Sequence, residues 1–546
     1  MRRHWSVIIF VALVGGSLAL QLRGAWQDSP TRDEPSHIVD GLAYWQLGSF
    51  EFNYPHPPLA KLLPGLSAFI QGARIDEASQ AWLTQDTEAV NAQVLYTGRS
   101  GDEIQRLIFW SRIPMLLFPL GLYVMVFMWG RRRFGNIPAL MAVTLLAFDP
   151  SHVGHGPLVN TDVPVMTAIL ATIIALDAYL RQPNRRRLFN LAAMLAIALL
   201  IKFSTLFLIP IVGVLIAIQR WRTHQPKLWP SLLRDGALVG LVVLGAMVVV
   251  YRADGILPHR GPLPAWTLNI AGREITPPLA AYARGLAYNI NHNADGHRTI
   301  FRGQVITDGR WSYFPVALLT KTPLVTLGLW IAALAIGIWA YTRRRLSDPI
   351  AVLTWVLPPL IYSLTAISSN LNLGIRHIFP LLPFLALAVA WAAHRVKQLW
   401  RLVAAALSAS LIVTVLMAYP NTIAYFNAAA GGSSQGTKWF IDSNTDWGQD
   451  AWRVRDYLRT IGATNLRSVP TAITLFGTTP RSVLTEVSTR VPADDQIIDT
   501  SEQLGRVIIS DSLLHAPDRP YTWLLAISRD LRPERIGSTV TVFHFE

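Results

Sequence analysis

Long apolar runs broken by short basic clusters set the pattern of this chain. The runs fall near residues 5–22, 106–129, 136–148, 162–180, 188–201, 203–219, 235–251, 314–341, 349–367, 375–392 and 401–418. A helix needs roughly 20 predominantly apolar residues to cross a hydrocarbon core, so the pattern predicts about eleven transmembrane helices, the shortest being those at 136 and 188. Between them lie Arg131 to Arg133, Arg181 with Arg185 to Arg187, Arg220 with Arg222 and Lys227, Arg343 to Arg345, and Arg395 with Lys397 and Arg401. Simple alternation puts all of these on one face, which the positive-inside rule makes cytoplasmic. Arg2 and Arg3 hold the start of the first run there. A basic start and an apolar core also suit a cleaved signal peptide, but an uncleaved helix is the expectation, because the run is close to spanning length. The segments left outside are 23–105, 149–161, the turn near Lys202, 252–313, 368–374 and everything after 419.

Composition supports this reading. Of the 546 residues 51% are hydrophobic and only 15% charged, against roughly 25% charged in soluble domains. The net charge of +14 sits in the clusters between apolar runs, so the expected partners are membrane lipids and not nucleic acid. The absence of cysteine excludes disulfides, thiolate metal sites and cysteine nucleophiles. Within the outer segments, PPLAKLLPGLSAFIQG and PPLAAYARGLAYNINHN read as proline-broken interfacial helices. From about residue 428 the chain turns polar: GGSSQG breaks it, WRVRDYLRTIG has helical spacing, and RVIIS and GSTVTVFHF read as strands. The expected architecture is a polytopic α-helical membrane domain over 1–427, with outer loops 23–105 and 252–313, followed by a small extracytoplasmic α/β domain over 428–546.

Three constellations on the outer face carry candidate chemistry. Asp33 and Glu34 follow the first span; a carboxylate there can take a proton from an attacking hydroxyl, while DEPSH is also good helix-capping sequence. The loop FDPSHVGHGPLVNTDVP brings Asp149, His152, His155, Asn160 and Asp162 together. The two acids and two histidines are normal metal ligands, but their spacing matches no strong metal motif, and NTDVP also reads as a helix N-terminus. The third set is cationic: Lys61, Lys202, Arg298, Arg302, Lys321 and Arg376 with His377. Charges beside lipid are costly and generally have a partner or a task, and gathered together they would hold an anionic headgroup. Singly, each also suits snorkelling to headgroup phosphates.

These motifs resemble the integral-membrane glycosyltransferases that use polyprenyl-phosphate sugars, the GT-C type that includes protein O-mannosyltransferases and the lipid A aminoarabinose transferase. The resemblance rests on Asp33-Glu34, HPPLAK at 56–61, the NTDVP loop, KFS at 202–204 and WSYFPVALLTKTP at 311–323. NLGIRHIFPLLPF at 371–384 and DSNTDWGQD at 442–450 are similar to bacterial members. It implies a polyprenyl-phosphate sugar donor, a hydroxyl acceptor on a protein, glycan or lipid, inversion at the anomeric carbon, and a bacterial inner-membrane location. It maps the catalytic acid to Asp33 and a second acid to Asp162, with Glu34 orienting. The phosphate would fall to His56, Lys61, Lys202, Arg298, Arg376 and His377. Where the lipid A branch has a lysine before two prolines this chain has His56, and its lysine follows at Lys61 as in the O-mannosyltransferase branch, which argues against lipid A as acceptor. No cofactor is required; a divalent metal is compatible but unsupported, and there is no phosphate-cradling glycine loop for a nucleotide. A transporter would place its polar groups at the midplane on broken helices, often repeated between two halves, whereas these lie at one surface without a repeat. A non-catalytic envelope scaffold, docking through the tail domain, is the other alternative.

Overall fold

A computed structural model of the chain describes residues 4–50, 52, 54–223, 228–251, 268–270, 273–275, 279–345, 348–462, 471–479, 505–518, 521, 524–525 and 533–545. Arg2, Arg3 and Lys227 of the expected basic clusters, and much of 252–278 in the expected fourth outer segment, lie outside the described residues. The chain begins α1 (Trp5–Gln27), α2 (Glu34–Leu47), α3 (Leu59–Ile70), α4 (Gln80–Leu83), α5 (Thr87–Leu95) and α6 (Gly101–Arg112). It continues α7 (Leu117–Phe134), α8 (Asn136–Ala147), α9 (Pro150–His155), α10 (Asp162–Arg181), α11 (Arg185–Leu199), α12 (Leu208–Arg222) and α13 (Leu228–Val250). Then come a hairpin of β1 (Leu268–Ile270) and β2 (Arg273–Ile275), α14 (Ala280–Asp295), a hairpin of β3 (Thr299–Phe301) and β4 (Gln304–Ile306), α15 (Tyr313–Lys321), α16 (Leu324–Thr342), α17 (Pro349–Ile367), α18 (Leu382–Arg395) and α19 (Gln398–Ala418).

Among the described residues nine helices are long and apolar enough to cross a membrane: α1, the rod from Gly101 to Phe134, α10, Phe203–Arg222, α13, α16, α17, Ile375–Arg395 and α19. The expected spans at 136 and 188 are present as α8 and α11 but have only 12 and 15 residues. At 1.5 Å per residue they fall short of the roughly 30 Å hydrocarbon thickness. Almost every residue of α8 is buried, with α7, α18 and α19 against it, so it is shielded from lipid. Hydropathy reads apolarity, which an enclosed helix shares with a spanning one. The outer helices behave oppositely: Leu241, Ile331 and Met417 lie 71%, 69% and 82% exposed, the surface that only lipid would cover.

Ion pairs order the two ends of the bundle. At one end Arg133 bonds Asp177 at 2.8 Å, Arg181 pairs with the same carboxylate, and Tyr179 donates to Asp235 at 2.6 Å beside Arg220. The ends of α7, α10 and α12 and the start of α13 therefore lie together, as alternation requires. The other end holds the start of α10, Lys202 before α12, and Arg376. It is floored by α2 and α3, which cross where Gly41 meets Gly65. A Cβ on Gly41 would come 2.1 Å from the Lys61 carbonyl oxygen, and one on Gly65 would come 2.1 Å from the Gly41 carbonyl carbon.

Beyond the bundle, α20 (Ala451–Ile461) covers one face of a sheet of β5 (Thr471–Thr474), β6 (Arg506–Ser510), β7 (Glu534–Ile536) and β8 (Val540–His544) in the order β5-β6-β8-β7. β5 and β6 are parallel and the other pairings antiparallel. The period-2 alternation of RVIIS puts Ile508 under α20 with Val454 and Leu458, and sends Val507 and Ile509 to the opposite face with Leu524 and Phe543. The segment leading into this unit is packed inside the helical part: Phe440 joins the main core, Trp447 packs with Leu158 and Ile423, and Trp452 lies among the side chains of α2, α3 and α6.

The glycine crossing yields the first prediction. Overpacking a filled interface costs about 1–3 kcal/mol or more, so Gly65→Val will lower the melting temperature in detergent, while Gly328→Val, inside α16 where a Cβ meets nothing within 4 Å, serves as the control. Equal melting shifts in the two variants contradict a close crossing of α2 and α3.

Candidate active site

The site begins where α1 gives way to α2. Pro35 in the first turn of α2 starts that helix directly after Asp33, whose side chain makes no capping bond and turns instead to Arg376. The Arg376 Nη1 atom donates to Asp33 Oδ2 at 3.0 Å and to Asp162 Oδ2 at 3.3 Å. Lys202 Nζ donates to the other Asp162 oxygen at 2.7 Å. Two carboxylates and two cations thus alternate in one cluster, with Asp162 at the first residue of α10, where the helix dipole favours negative charge. Exposure separates the acids: the Asp33 side chain is 35% exposed and that of Asp162 1%. Asp33 faces the open side, and Asp162 is enclosed between its cations.

Arg376 is held on every side. Its Nε donates to the Leu373 carbonyl at 3.1 Å, and its guanidinium carbon lies 4.2 Å from the centre of the buried Trp447 ring. The NLGIRH turn carrying it is tied to the DSN segment: Asn444 Oδ1 accepts from Ile375 N at 2.9 Å, and Ser443 Oγ donates to the Leu373 carbonyl at 2.9 Å. Tyr313 Oη accepts from Gly374 N at 3.0 Å and from the Asn444 amide at 2.8 Å. Gly374 has φ of 94°, and a Cβ there would meet Ser443 Oγ at 2.4 Å, so only glycine lets the two segments close.

Two expectations change here. Glu34, adjacent to Asp33 in sequence, points the opposite way into a fully buried bidentate pair with Arg112, at 2.8 Å and 2.6 Å. Its oxygens also accept from Val159 N at 2.9 Å, Thr31 N at 2.8 Å and Thr31 Oγ1 at 3.1 Å. Burial pushes its carboxyl up, but Arg112 and these donors outweigh that and hold it below its ordinary value. Lys61 is likewise engaged elsewhere, bonding Asp40 at 2.7 Å and the His56 carbonyl at 2.8 Å.

The remaining expected residues separate clearly. His56 stacks near His37, ring centres 5.7 Å apart; burial and then nearby cations, Lys202 and Lys61 among them, hold it well below its ordinary value, so it sits neutral beside the cluster. His377 follows Arg376, its carbonyl accepting from Tyr362 Oη at 2.7 Å. Arg298 forms a partly exposed pair with Asp518 at 2.9 Å, and Arg302 lies over the Trp439 ring. Lys321 is buried, donating to the carbonyls of Ile423, at 2.9 Å, and Asn444. In the 149–162 loop Asp149 caps α9 at His152 N, and burial raises its carboxyl to about 6. Burial lowers His152 to about 3 and His155 to about 4, and both rings pack edge-on against Phe379. Among the described residues no three His, Asp or Glu side chains gather as a metal site.

Three residues beside the cluster had no chemical role assigned from sequence: Trp447, His297 and Asp442. His297 lies within electrostatic reach of Asp33 and Arg376, and burial lowers it. Asp442 has φ of 69° and lies within reach of the same pair; burial raises it to about 6, with Arg376 opposing and Asp33 adding. The dense polar run DSNTDWGQD was the signal in the sequence for two of them.

Comparison with known proteins bears on this geometry. Residues 95–249 match the family described as dolichyl-phosphate-mannose-protein mannosyltransferase. No curated protein matches the sequence. Among solved structures the chain is similar to ArnT from Cupriavidus metallidurans bound to undecaprenyl phosphate, with 12% identity, coverage of 99% of this chain and 98% of that one, and a TM-score of 0.50. The fold is that of a GT-C membrane glycosyltransferase. Weaker likenesses reach the Archaeoglobus fulgidus oligosaccharyltransferase in the apo form, at 12% identity over 86% of this chain and 62% of that one with a TM-score of 0.46. The Saccharomyces cerevisiae protein O-mannosyltransferase Pmt1-Pmt2 complex bound to the sugar donor follows, at 20% identity over 45% and 32% with a TM-score of 0.33. The GT-C fold thus has its cluster of opposed charges at one end of the bundle, roofed by the segment before α20.

Because Glu34 is enclosed, Glu34→Gln will cost about 3–5 kcal/mol by leaving Arg112 buried without its counter-charge. Asp33→Asn will cost about 1 kcal/mol or less, since Asp33 is partly solvated and Arg376 keeps Asp162. The Glu34 contribution is present above the ordinary carboxyl value of 4.5 and is lost as pH falls through the lower folded value. Denaturation of both variants at neutral and acidic pH checks this; a wild-type and Glu34→Gln difference that survives acidification contradicts it.

Proposed function

We propose that this chain is an inverting glycosyltransferase that moves a sugar from a polyprenyl phosphate to a hydroxyl acceptor at the extracytoplasmic face of a bacterial plasma membrane. The observation that carries the reading is Arg376 bonded to both Asp33 and Asp162, one acid open and the other enclosed. The arginine clusters at the opposite end support an inside orientation for that end and, with it, the proposed outer site. The matched family makes mannose the first sugar to test.

The chemistry follows from charge. The acceptor O–H bond breaks and its proton passes to Asp33. The freed oxygen pair forms a bond to the anomeric carbon, and the carbon–phosphate-oxygen bond breaks with its electron pair going to the phosphate. Attack opposite the leaving group inverts that carbon. One negative charge leaves Asp33 and one appears on the phosphate, and Arg376 is placed to serve both, a fixed electrostatic contribution of the kind that dominates many sites. Lys202, the neutral ring of His56 and the ring of His377 complete the phosphate side, and Asp162 holds Arg376 and Lys202 in place. Glu34 and Lys61 act through structure: Glu34 aims the Asp33 turn through Arg112, and Lys61 fixes α2 against α3.

The test is purified protein in vesicles supplied with radiolabelled polyprenyl-phosphate mannose. The reading requires label in a hydroxyl-linked product together with released polyprenyl phosphate. Label crossing the vesicle with its phosphate bond intact would make the chain a transporter. Arg376→Ala should raise the half-saturating donor concentration about 10-fold or more, the loss of a charged hydrogen bond worth ~1.5–3 kcal/mol. An unchanged donor requirement places the phosphate elsewhere.

A further inference from the structure

Asp442 lies outside the membrane helices, in the segment that roofs the cluster, yet it lies within electrostatic reach of Asp33 and Arg376. The backbone explains how it gets there. The Leu373 carbonyl accepts from Arg376 Nε at 3.1 Å and from Ser443 Oγ at 2.9 Å, so one oxygen joins the arginine to the residue next to Asp442. The Asp442 carbonyl accepts from Thr445 N at 2.8 Å and Asp446 N at 3.0 Å, which closes a tight turn. Within it Asp442 adopts φ of 69°, a left-handed conformation that costs most side chains energy and that aspartate and asparagine tolerate best after glycine.

The turn alone does not call for a carboxylate. Asparagine or glycine would fit its φ equally well. Asp442 and Asp33 are both partly exposed residues, while Asp162 is enclosed. Two partly exposed acids, one from the turn before α2 and one from the segment before α20, thus lie within electrostatic reach of Arg376.

We propose that Asp442 is an acceptor-positioning residue that hydrogen-bonds a hydroxyl of the incoming acceptor and so presents the reacting hydroxyl to Asp33. The proposal rests on the glycosyl-transfer reading above and adds a task for the C-terminal segment: it supplies half of the acceptor subsite. The acceptor class is a molecule with at least two neighbouring hydrogen-bonding groups, one that reacts and one that Asp442 holds. Burial raises the Asp442 carboxyl to about 6, so near neutrality it is mostly ionised and accepts a hydrogen bond.

Radiolabelled polyprenyl-phosphate mannose serves as donor, and envelope extract from a strain lacking this chain serves as the acceptor preparation. Asp442→Asn and Asp442→Gly both suit the turn, so a purely structural role predicts near-native activity in both. The proposal predicts that Asp442→Gly raises the half-saturating amount of extract about tenfold or more, with a smaller rise in Asp442→Asn, whose amide oxygen still accepts, while both leave the half-saturating donor concentration within about twofold and keep the melting temperature. Unchanged acceptor dependence in Asp442→Gly overturns it, as does a rise in donor requirement alone. If wild-type protein transfers no label, the failure belongs to the glycosyl-transfer reading; if wild-type transfers and Asp442→Gly matches it, the failure belongs to Asp442.

Discussion

The end of the bundle that holds the charged cluster depends on the buried pair between Glu34 and Arg112. A carboxylate with no solvent contact is tolerable only when fully hydrogen-bonded, and Glu34 meets that condition with Arg112, Thr31 and Val159. Arg112 in turn donates to the carbonyls of Ala25, Asp28 and Ser29. One ion pair thus ties together the end of α1, the turn into α2, the end of α6 and the loop before α10. Asp33 lies in one of those four pieces, and Asp162 directly follows another. The pair adds little net stability by itself once desolvation is counted, but it fixes the relative positions of two acids far apart in sequence.

A second tier of bonds holds the roof. Ser29 accepts from Ala451 N at 2.8 Å and donates to the Gly448 carbonyl at 2.6 Å, and Arg453 pairs with Asp28 at 2.7 Å. Asp450 accepts from the backbone of Ser538 and Thr539 at 2.8 and 2.9 Å, so the sheet is tied to the same turn that aims Asp33. The C-terminal unit is therefore part of the site's framework, and Trp447 under the Arg376 guanidinium is one of its contacts.

Much of this was legible in the sequence, for a physical reason: hydropathy and charge alternation report which side of a membrane a residue occupies. That is how Asp33, Asp162, Lys202 and Arg376 were expected on one surface, and they meet there. The α3 and α14 helices and the strands RVIIS and VTVFH also followed from their periodicities. Side-chain direction was not legible. Asp33 and Glu34 are neighbours that face opposite ways because one precedes α2 and the other begins it, and Lys61 was taken by Asp40 across a helix crossing that two glycines set. Asp442 and His297 approach the cluster through long-range packing, which no local pattern encodes. The enclosure of the short α8 by its neighbours is likewise a property of the assembled bundle.

The central claim is that Asp33 is the base, and Asp33→Asn tests it most directly. Asparagine keeps the shape and can still accept from Arg376, but it cannot take the acceptor proton; positioned general bases contribute typically ~10²–10⁴-fold. Single-turnover transfer from pre-bound, labelled donor isolates the chemical step. The account predicts a rate loss of about that size with donor affinity and melting temperature unchanged. A near-native single-turnover rate in Asp33→Asn, with Asp162→Asn inactive but folded and still binding donor, would contradict it and move the proton to the enclosed acid.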